Sequence, residues 1–167
     1  MKSQDVKLLH VVNVVARLDT RFVLLEHPSA SAKQRPRIQI PERVLKGKNP
    51  DRAAAQWCLS SVTGVTFRLD AFSRVTERPI ESKDKLHHVY IVDLTQDDAE
   101  RMIAQEPGVR IHLNEVKQMR RYATENKIRT GNSLVLISMA CDLQTSRVQS
   151  ILTAGTEDGA NFVPVEA

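Results

Sequence analysis

Basic residues are concentrated in the stretch between positions 33 and 52. Seven basic residues stand there against two acids, Glu42 and Asp51, so the local excess of five positive charges is larger than the formal net charge of +4 of the whole chain. Such a surface attracts phosphate groups, and the alternative is an ordinary solvated face. The candidates for binding phosphate or nucleic acid are all of these basic residues except Lys33: Arg35, Arg37, Arg43, Lys46, Lys48 and Arg52.

One tryptophan and a second basic cluster could extend this surface. Trp57 is the only tryptophan, and it is a candidate for stacking on a base or contacting a partner, although burial in a core is the commoner use of such a ring. Aromatic residues make up only 4% of the chain, which argues against an RNA-recognition surface built from several stacking rings. The second cluster consists of Lys117, Arg120, Arg121, Lys127 and Arg129.

Residues that could support catalysis show no familiar spacing. His87 and His88 are adjacent on a predicted strand, so they should point to opposite faces and cannot easily bind one metal ion together. Cys58 and Cys141 form neither a zinc motif nor a disulfide framework, and we expect Cys58 to be a small buried side chain. Six acidic residues are candidates for holding a metal ion because of their number, not because of their spacing, and Glu42 is the first to test. The six are Glu42, Asp51, Glu77, Glu81, Asp84 and Glu115.

The segment 40–65 is predicted to place the basic residues on a loop that leads into one helix. Asn49 suits the N-cap, Pro50 suits the first helical position, and Gly64 suits the left-handed residue that ends a helix. These signals predict a helix of about 13 residues. Its positive dipole end at Asn49 would favour a bound phosphate.

The remaining elements are predicted from their residue patterns. Residues 6–17, 22–26, 37–40 and 86–94 indicate strands, residues 65–69 and 72–76 indicate extended segments, and residues 79–85 indicate a charged loop. Three helices follow: one opened by Thr95 and running to about residue 105, one capped by Asn114, and one over residues 133–152.

The composition is that of an ordinary globular protein. The chain has 167 residues, of which 41% are hydrophobic and 26% charged, without an apolar run of the roughly 20 residues that a membrane span needs. We expect a single domain over residues 1–154 and a flexible tail over residues 155–167. We also expect an intracellular protein, cytoplasmic or organellar, without a signal peptide or membrane span.

The segment 40–65 also resembles, without a gap, the signature of the Nudix hydrolase superfamily, G-x5-E-x7-R-E-U-x-E-E-x-G-U, in which U is apolar. The positions that build the loop and helix agree, since Ile40-Pro41 precede the loop and Leu59, Gly64 and Val65 occupy the apolar, glycine and apolar positions. The other positions differ. Arg43 stands at the first glycine, Asn49 at the first glutamate, Trp57 and Cys58 at the Arg-Glu pair, and Ser61 and Val62 at the Glu-Glu pair.

The resemblance implies an α+β fold, an α/β/α sandwich in which a mixed sheet is flanked by helices. In the family, the signature glutamates hold magnesium or manganese, which neutralises a pyrophosphate and positions the attacking water. Asn49, Cys58, Ser61 and Val62 supply no carboxylate at those positions. We therefore expect no metal, no cofactor and no catalytic residue of the family's kind.

These observations favour a catalytically inactive Nudix-fold binding or scaffold protein. We expect a subunit or adaptor of a larger assembly, with a protein partner or a second copy of the chain, that contacts RNA or a nucleotide through the basic loop and does not contact a membrane. One alternative is a divergent Nudix hydrolase of a nucleoside diphosphate derivative, with its metal held by acids outside the signature. Another is a structural protein that uses a sheet edge or the helix of Trp57 to bind a partner.

Overall fold

A computed structural model describes residues 7–29, 31–34, 36–45, 51–82, 84–124 and 133–152 of the chain. The side chains of residues 122, 123 and 143–152 are not part of this description. Several predicted features lie outside the described residues: Arg35, Lys46, Lys48, Asn49, Pro50, Lys127, Arg129 and the tail 155–167.

The described residues form one mixed sheet of eight strands. The strands are β1 (Leu9–Leu18), β2 (Arg21–His27), β3 (Arg37–Gln39), β4 (Glu42–Val44), β5 (Ser73–Arg74), β6 (Ile80–Ser82), β7 (Lys85–Asp93) and β8 (Arg110–Glu115). Their order is β3-β2-β1-β7-β5, while β4 also pairs with β1, β6 with β7, and β8 with β2. The β1–β7 pair is parallel, and the other pairs are antiparallel. The two parallel strands are rich in valine, as expected for strands covered on both faces.

Helices cover both faces of this sheet. They are α1 (Arg52–Thr63), α2 (Gln96–Arg101), α3 (Val116–Thr124) and α4 (Ser133–Leu152). One apolar core lies between the sheet and α1, and it contains Val12, Val14, Ala16, Leu25, Ala55, Cys58, Leu59 and Val62. The other lies between the sheet and the pair α3 and α4, and it contains Val15, Val89, Ile91, Met119, Leu136, Ile137 and Ala140. We call these two sides of the sheet the α1 face and the α4 face. The predicted α/β/α sandwich with a mixed sheet is therefore confirmed.

The helix α1 ends where the sequence predicted but begins later. Gly64 has a φ of 72°, and its N–H donates to the carbonyl of Ser60 at 2.9 Å, which confirms the left-handed end. The N-cap is Asp51, whose Oδ1 accepts from the N–H of Ala54 at 3.1 Å. The prediction of Asn49 as the cap is therefore wrong. Three consecutive residues, Asn49, Pro50 and Asp51, all suit a helix start, and the later one is used.

Several other boundaries also differ from the predictions. The prediction that Asn114 caps a helix is wrong, because Asn114 lies in β8 and pairs with Phe22 of β2. The predicted loop 79–85 contains β6. A short 3-10 helix at Leu69–Ala71 connects the two predicted extended segments, 65–69 and 72–76, and includes the last residue of the first one. The predicted strand at β7 and the last helix α4 are confirmed, as is the cap of α2 by Thr95. In the part of the chain that the structure describes, no helix is long and apolar enough to cross a membrane.

Candidate functional site

Two adjacent side chains of strand β4, those of Glu42 and Arg43, lie on opposite faces of the sheet. Arg43 pairs with Val12 of β1, and Glu42 pairs with Asn13. Val12 packs in the core of the α1 face, and side chains alternate along a strand. Arg43 therefore points towards α1, whereas Glu42 points to the α4 face.

The guanidinium of Arg43 lies against α1 at Ser61, a position where the signature has a glutamate. Its Nε donates to Ser61 Oγ at 3.2 Å, and its Nη2 forms an ion pair with Glu106 Oε1 at 2.6 Å. The Ser61 hydroxyl in turn donates to the carbonyl of Cys58 at 2.9 Å. A cationic side chain thus contacts the part of the helix where the signature has carboxylates. We call Arg43, Ser61 and Glu106 the Arg43 cluster.

The neighbouring signature positions are apolar and buried. Cys58 is 0% exposed and Val62 is 3% exposed. Burial raises the pKa of Cys58 to about 12, so the thiol stays protonated at neutral pH and is a poor metal ligand. The prediction of Cys58 as a small buried side chain is confirmed. Among the described residues, no three His, Cys, Asp or Glu side chains are placed to hold a metal ion, and the residues at the signature positions do not fit the family's metal.

A second arginine of the basic stretch shares the face of Arg43. On the paired strands β2 and β3, His27 is opposite Arg37, and Gln39 is opposite Leu25, which belongs to the core of the α1 face. Alternation along β3 therefore places Arg37, like Gln39, on that face. Burial lowers the pKa of His27, and the charges of Arg37 and Arg43 lower it further while Glu106 opposes them.

His27 is a site residue that sequence reasoning missed. Its Nε2 lies 3.3 Å from the side-chain nitrogen of Gln39, on the same face as Arg37. No local pattern distinguishes His27, which ends a strand ahead of a polar loop. Its lowered pKa favours a neutral ring at pH 7, which can accept or donate a hydrogen bond beside the arginines.

Trp57 and Arg52 lie on the outer side of α1. Arg52 is the first residue of the helix and is exposed. The inward positions of α1 are occupied at helical spacing by Ala55, Cys58, Leu59 and Val62. Trp57 is 50% exposed, so the alternative in which it belongs to the core is wrong. Its role in stacking or in partner contact stays a prediction.

Glu42 cannot supply the missing metal ligand beside α1. Its Oε2 accepts from Asn13 Nδ2 at 2.9 Å, and its Oε1 accepts from Lys85 Nζ at 3.0 Å, all on the α4 face. Burial favours the protonated carboxyl, but these two hydrogen bonds lower the pKa of Glu42 overall. Glu42, the first of the candidate acids to test, therefore points away from α1. The acid that pairs with Arg43 is Glu106, which follows α2 and was not predicted.

The second basic cluster does not extend the surface of the first in the described residues. Lys117, Arg120 and Arg121 lie on α3, which packs on the opposite side of the sheet from the Arg43 cluster. Lys117 is paired with Glu115 at 3.0 Å. That side also has a cavity of about 570 Å³, which Lys117 lines, whereas none of the described basic residues of the stretch 33–52 lines it.

The described residues form a mixed sheet between α1 on one side and α3 and α4 on the other, and the segment 40–65 contributes the strand β4 and the glycine-ended helix α1. This arrangement is the fold of the Nudix hydrolases. Two solved structures are similar in fold. A NUDIX hydrolase from Nitrosomonas europaea superposes with a TM-score of 0.59 at 17% identity, over 80% of this chain and 88% of that chain. A MutT structure from work on Aliivibrio salmonicida and Vibrio cholerae gives a TM-score of 0.56 at 11% identity, over 81% of this chain and 98% of the other.

No protein-family model and no curated protein matches the chain. The two structures establish that the chain has the Nudix fold, as the resemblance implied.

Proposed function

We propose that this chain is a catalytically inactive relative of the Nudix hydrolases that binds the phosphate groups of RNA or a nucleotide without a metal ion. The observation that supports the proposal is the position of Arg43, whose guanidinium contacts Ser61 and Glu106 at the helix that carries the signature. In a working Nudix enzyme, carboxylates at this helix hold the divalent cation that neutralises the pyrophosphate. Here the chain supplies the positive charge itself.

An arginine suits phosphate binding for geometric and electrostatic reasons. The guanidinium is permanently charged and presents five N–H donors in a plane that matches phosphate oxygens. Two of these donors of Arg43 are used, one by Ser61 and one by Glu106. Arg37 is exposed on the same face and can add a second positive charge. Arg35, Lys46, Lys48 and Arg52 are further candidates for the same surface.

The same arrangement argues against hydrolysis. A metal ion lowers the pKa of a bound water and so produces the attacking hydroxide near neutral pH. A guanidinium can hold and neutralise a phosphate, but it does not activate water in this way. The ion pair with Arg43 also engages the carboxylate of Glu106.

The binding proposal is tested by calorimetric titration of inorganic pyrophosphate into wild-type protein and two variants in the presence of EDTA. Arg43→Met should weaken binding at least about tenfold, because a charged hydrogen bond contributes about 1.5–3 kcal/mol. Arg68→Met is the matched control, since Arg68 is also paired with one carboxylate, Asp70, at 2.8 Å but lies directly before the exposed 3-10 helix. Equal affinities of wild type and Arg43→Met would refute the proposed site.

The second candidate function is that of a divergent Nudix hydrolase acting on a nucleoside diphosphate derivative. The observation in its favour is that Glu106, an acid outside the signature, reaches α1 through Arg43. Incubation with a panel of such compounds and magnesium or manganese distinguishes the two functions. Metal-dependent turnover that is lost in Glu106→Gln would support the hydrolase.

We also propose that the protein acts inside the cell as a subunit or adaptor of a larger assembly, with a protein partner or a second copy of the chain. Two apolar side chains support this: Trp57 on α1 is 50% exposed and Leu69 in the 3-10 helix is 47% exposed. Native mass measurement of the complex from cells, with identification of the chains that co-purify, tests this part. Loss of those chains in Trp57→Ala would identify α1 as the contact.

A further inference from the structure

Four polar side chains on the α4 face form a chain of hydrogen bonds that includes a serine hydroxyl. Each comes from a different strand: Glu42 from β4, Asn13 from β1, His87 from β7 and Ser82 from β6. The links are Asn13 Nδ2 to Glu42 Oε2 at 2.9 Å, His87 Nδ1 to Asn13 Oδ1 at 2.7 Å, and Ser82 Oγ to His87 Nε2 at 2.7 Å. This site lies on the opposite side of the sheet from the Arg43 cluster and does not depend on the proposed function.

The direction of each hydrogen bond follows from the chemistry of the groups. An ionised carboxylate only accepts, so Glu42 must face the NH2 group of Asn13. The amide oxygen of Asn13 then faces His87, and because that oxygen only accepts, the proton of the ring lies on Nδ1. The remaining nitrogen, Nε2, is left with its lone pair directed at the hydroxyl of Ser82.

This arrangement has the geometry of an activated serine. A nucleophile is recognised by a base within about 2.6–3.2 Å, where the base is itself oriented by a third group. Asn13 and His87 are each 2% exposed, so the base is held in a fixed orientation, whereas Ser82 is only partly buried. Burial lowers the pKa of His87, with Lys85 adding to the shift and Glu42 opposing it, which keeps the ring available as a base.

Lys85 completes the surroundings of the serine. It is the cross-strand partner of Ser82, and such partners have Cβ atoms about 4.5–5.5 Å apart. Its Nζ contacts Glu42 Oε1 at 3.0 Å and so compensates the charge of that carboxylate. A positive charge beside the nucleophile also favours the negative oxygen that develops on a carbonyl under attack.

We propose that Ser82 is the nucleophile of a second site, which cleaves small carboxylic esters with His87 as its base. Ser82 Oγ bonds to the carbonyl carbon while its proton moves to His87 Nε2, and His87 then passes that proton to the alcohol oxygen as the ester C–O bond breaks. Water attacks the acyl group on Ser82 in the same way, giving one proton to His87. The acid leaves, and the proton returns to Ser82.

The test is the rate at which a fluorophosphonate probe modifies individual serines of the full chain, read by peptide mass spectrometry. The probe phosphonylates a serine oxygen and releases fluoride. Ser73 is the internal control, because it is exposed on β5, which also pairs with β7, and no histidine contacts it among the described residues. General-base assistance contributes about 10²–10⁴-fold, so Ser82 should react at least about 100 times faster than Ser73.

The variants separate activation from simple exposure. Ser82→Ala should abolish the fast modification, Ser73→Ala should leave it unchanged, and His87→Gln should reduce the rate at Ser82 to that of Ser73. Hydrolysis of p-nitrophenyl acetate should fall at least about 100-fold in Ser82→Ala for the same reason. The comparison of Ser82 with Ser73 in the wild type needs no variant to fold. Equal rates at these two serines, or equal ester hydrolysis by wild type and Ser82→Ala, would overturn the proposal.

Discussion

The ion pair between Arg43 and Glu106 should limit how strongly the α1 face binds anions, and Glu106→Gln tests this. The substitution keeps the size of the side chain and removes its charge. Arg43 Nη2 and Glu106 Oε1 are 2.6 Å apart, and the two side chains are 26% and 41% exposed. Two unit charges about 4 Å apart interact by about 4 kcal/mol at an effective dielectric constant of about 20. Exposed pairs, however, contribute only about 0.2–1 kcal/mol in measurements.

Glu106 should repel a phosphate bound at Arg43 by a free energy similar to that of an exposed pair, about 0.2–1 kcal/mol. We therefore expect Glu106→Gln to bind pyrophosphate up to about 1 kcal/mol more tightly, which is about fivefold in affinity. The same change should lower the free energy of unfolding by up to about 1 kcal/mol, or about 2–4 °C in Tm, because the ion pair is lost. Tighter binding together with lower stability is a combination that general destabilisation does not produce.

Calorimetric titration at low salt in EDTA measures the affinity, and thermal unfolding measures the stability. Glu100→Gln is the matched control, because Glu100 is an exposed glutamate on α2 that contacts Gln96 and not Arg43. It should change neither quantity. Unchanged or weaker binding of pyrophosphate by Glu106→Gln would refute the proposal that Arg43 binds anions and that Glu106, its counter-ion, weakens this binding.

Three further predictions concern stability. Leu59→Ala should cost about 2–5 kcal/mol in chemical denaturation because Leu59 is 0% exposed, whereas Trp57→Ala on the outer side of α1 should cost much less. Asp51→Ala should cost about 1 kcal/mol by removing the N-cap, and Asn49→Ala should leave the denaturation midpoint unchanged. Burial lowers the pKa of His87 from its ordinary 6.5, so the unfolded chain takes up this proton first and stability falls as the pH drops below 6.5. His87→Gln should reduce that fall between pH 7.5 and 5.5, and an unchanged pH dependence would exclude His87 as its source.

Elements with strong local signals could be predicted from the sequence. The strand β7 is dense in β-branched and aromatic residues, and α2 begins with a threonine and an acid at capping-box spacing. The end of α1 was predictable because Gly64 adopts a positive φ that other residues avoid. The Nudix fold was recognisable because the residues that build the loop and helix are retained even though the signature carboxylates are absent.

Elements that depend on distant partners could not be predicted. The strand β8 is partly buried at every position after Arg110, without the clear alternation that marks a strand, and Asn114 within it resembles a helix N-cap in the sequence. Glu106 meets Arg43 across 63 positions of sequence, and His87 meets Asn13 across 74. Such contacts are set by the pairing of strands and by the loop after α2. The sequence gives the residue types, but only the fold brings them together.

The proposal that Arg43 takes over the role of the family's metal ion is tested most directly by the metal dependence of binding. Wild-type protein is titrated calorimetrically with inorganic pyrophosphate, first in EDTA and then with Mg²⁺, and the solution is assayed for released phosphate. We predict binding in EDTA and no phosphate release in either condition. Binding that occurs only after Mg²⁺ is added, or release of phosphate that requires Mg²⁺, would contradict the proposal.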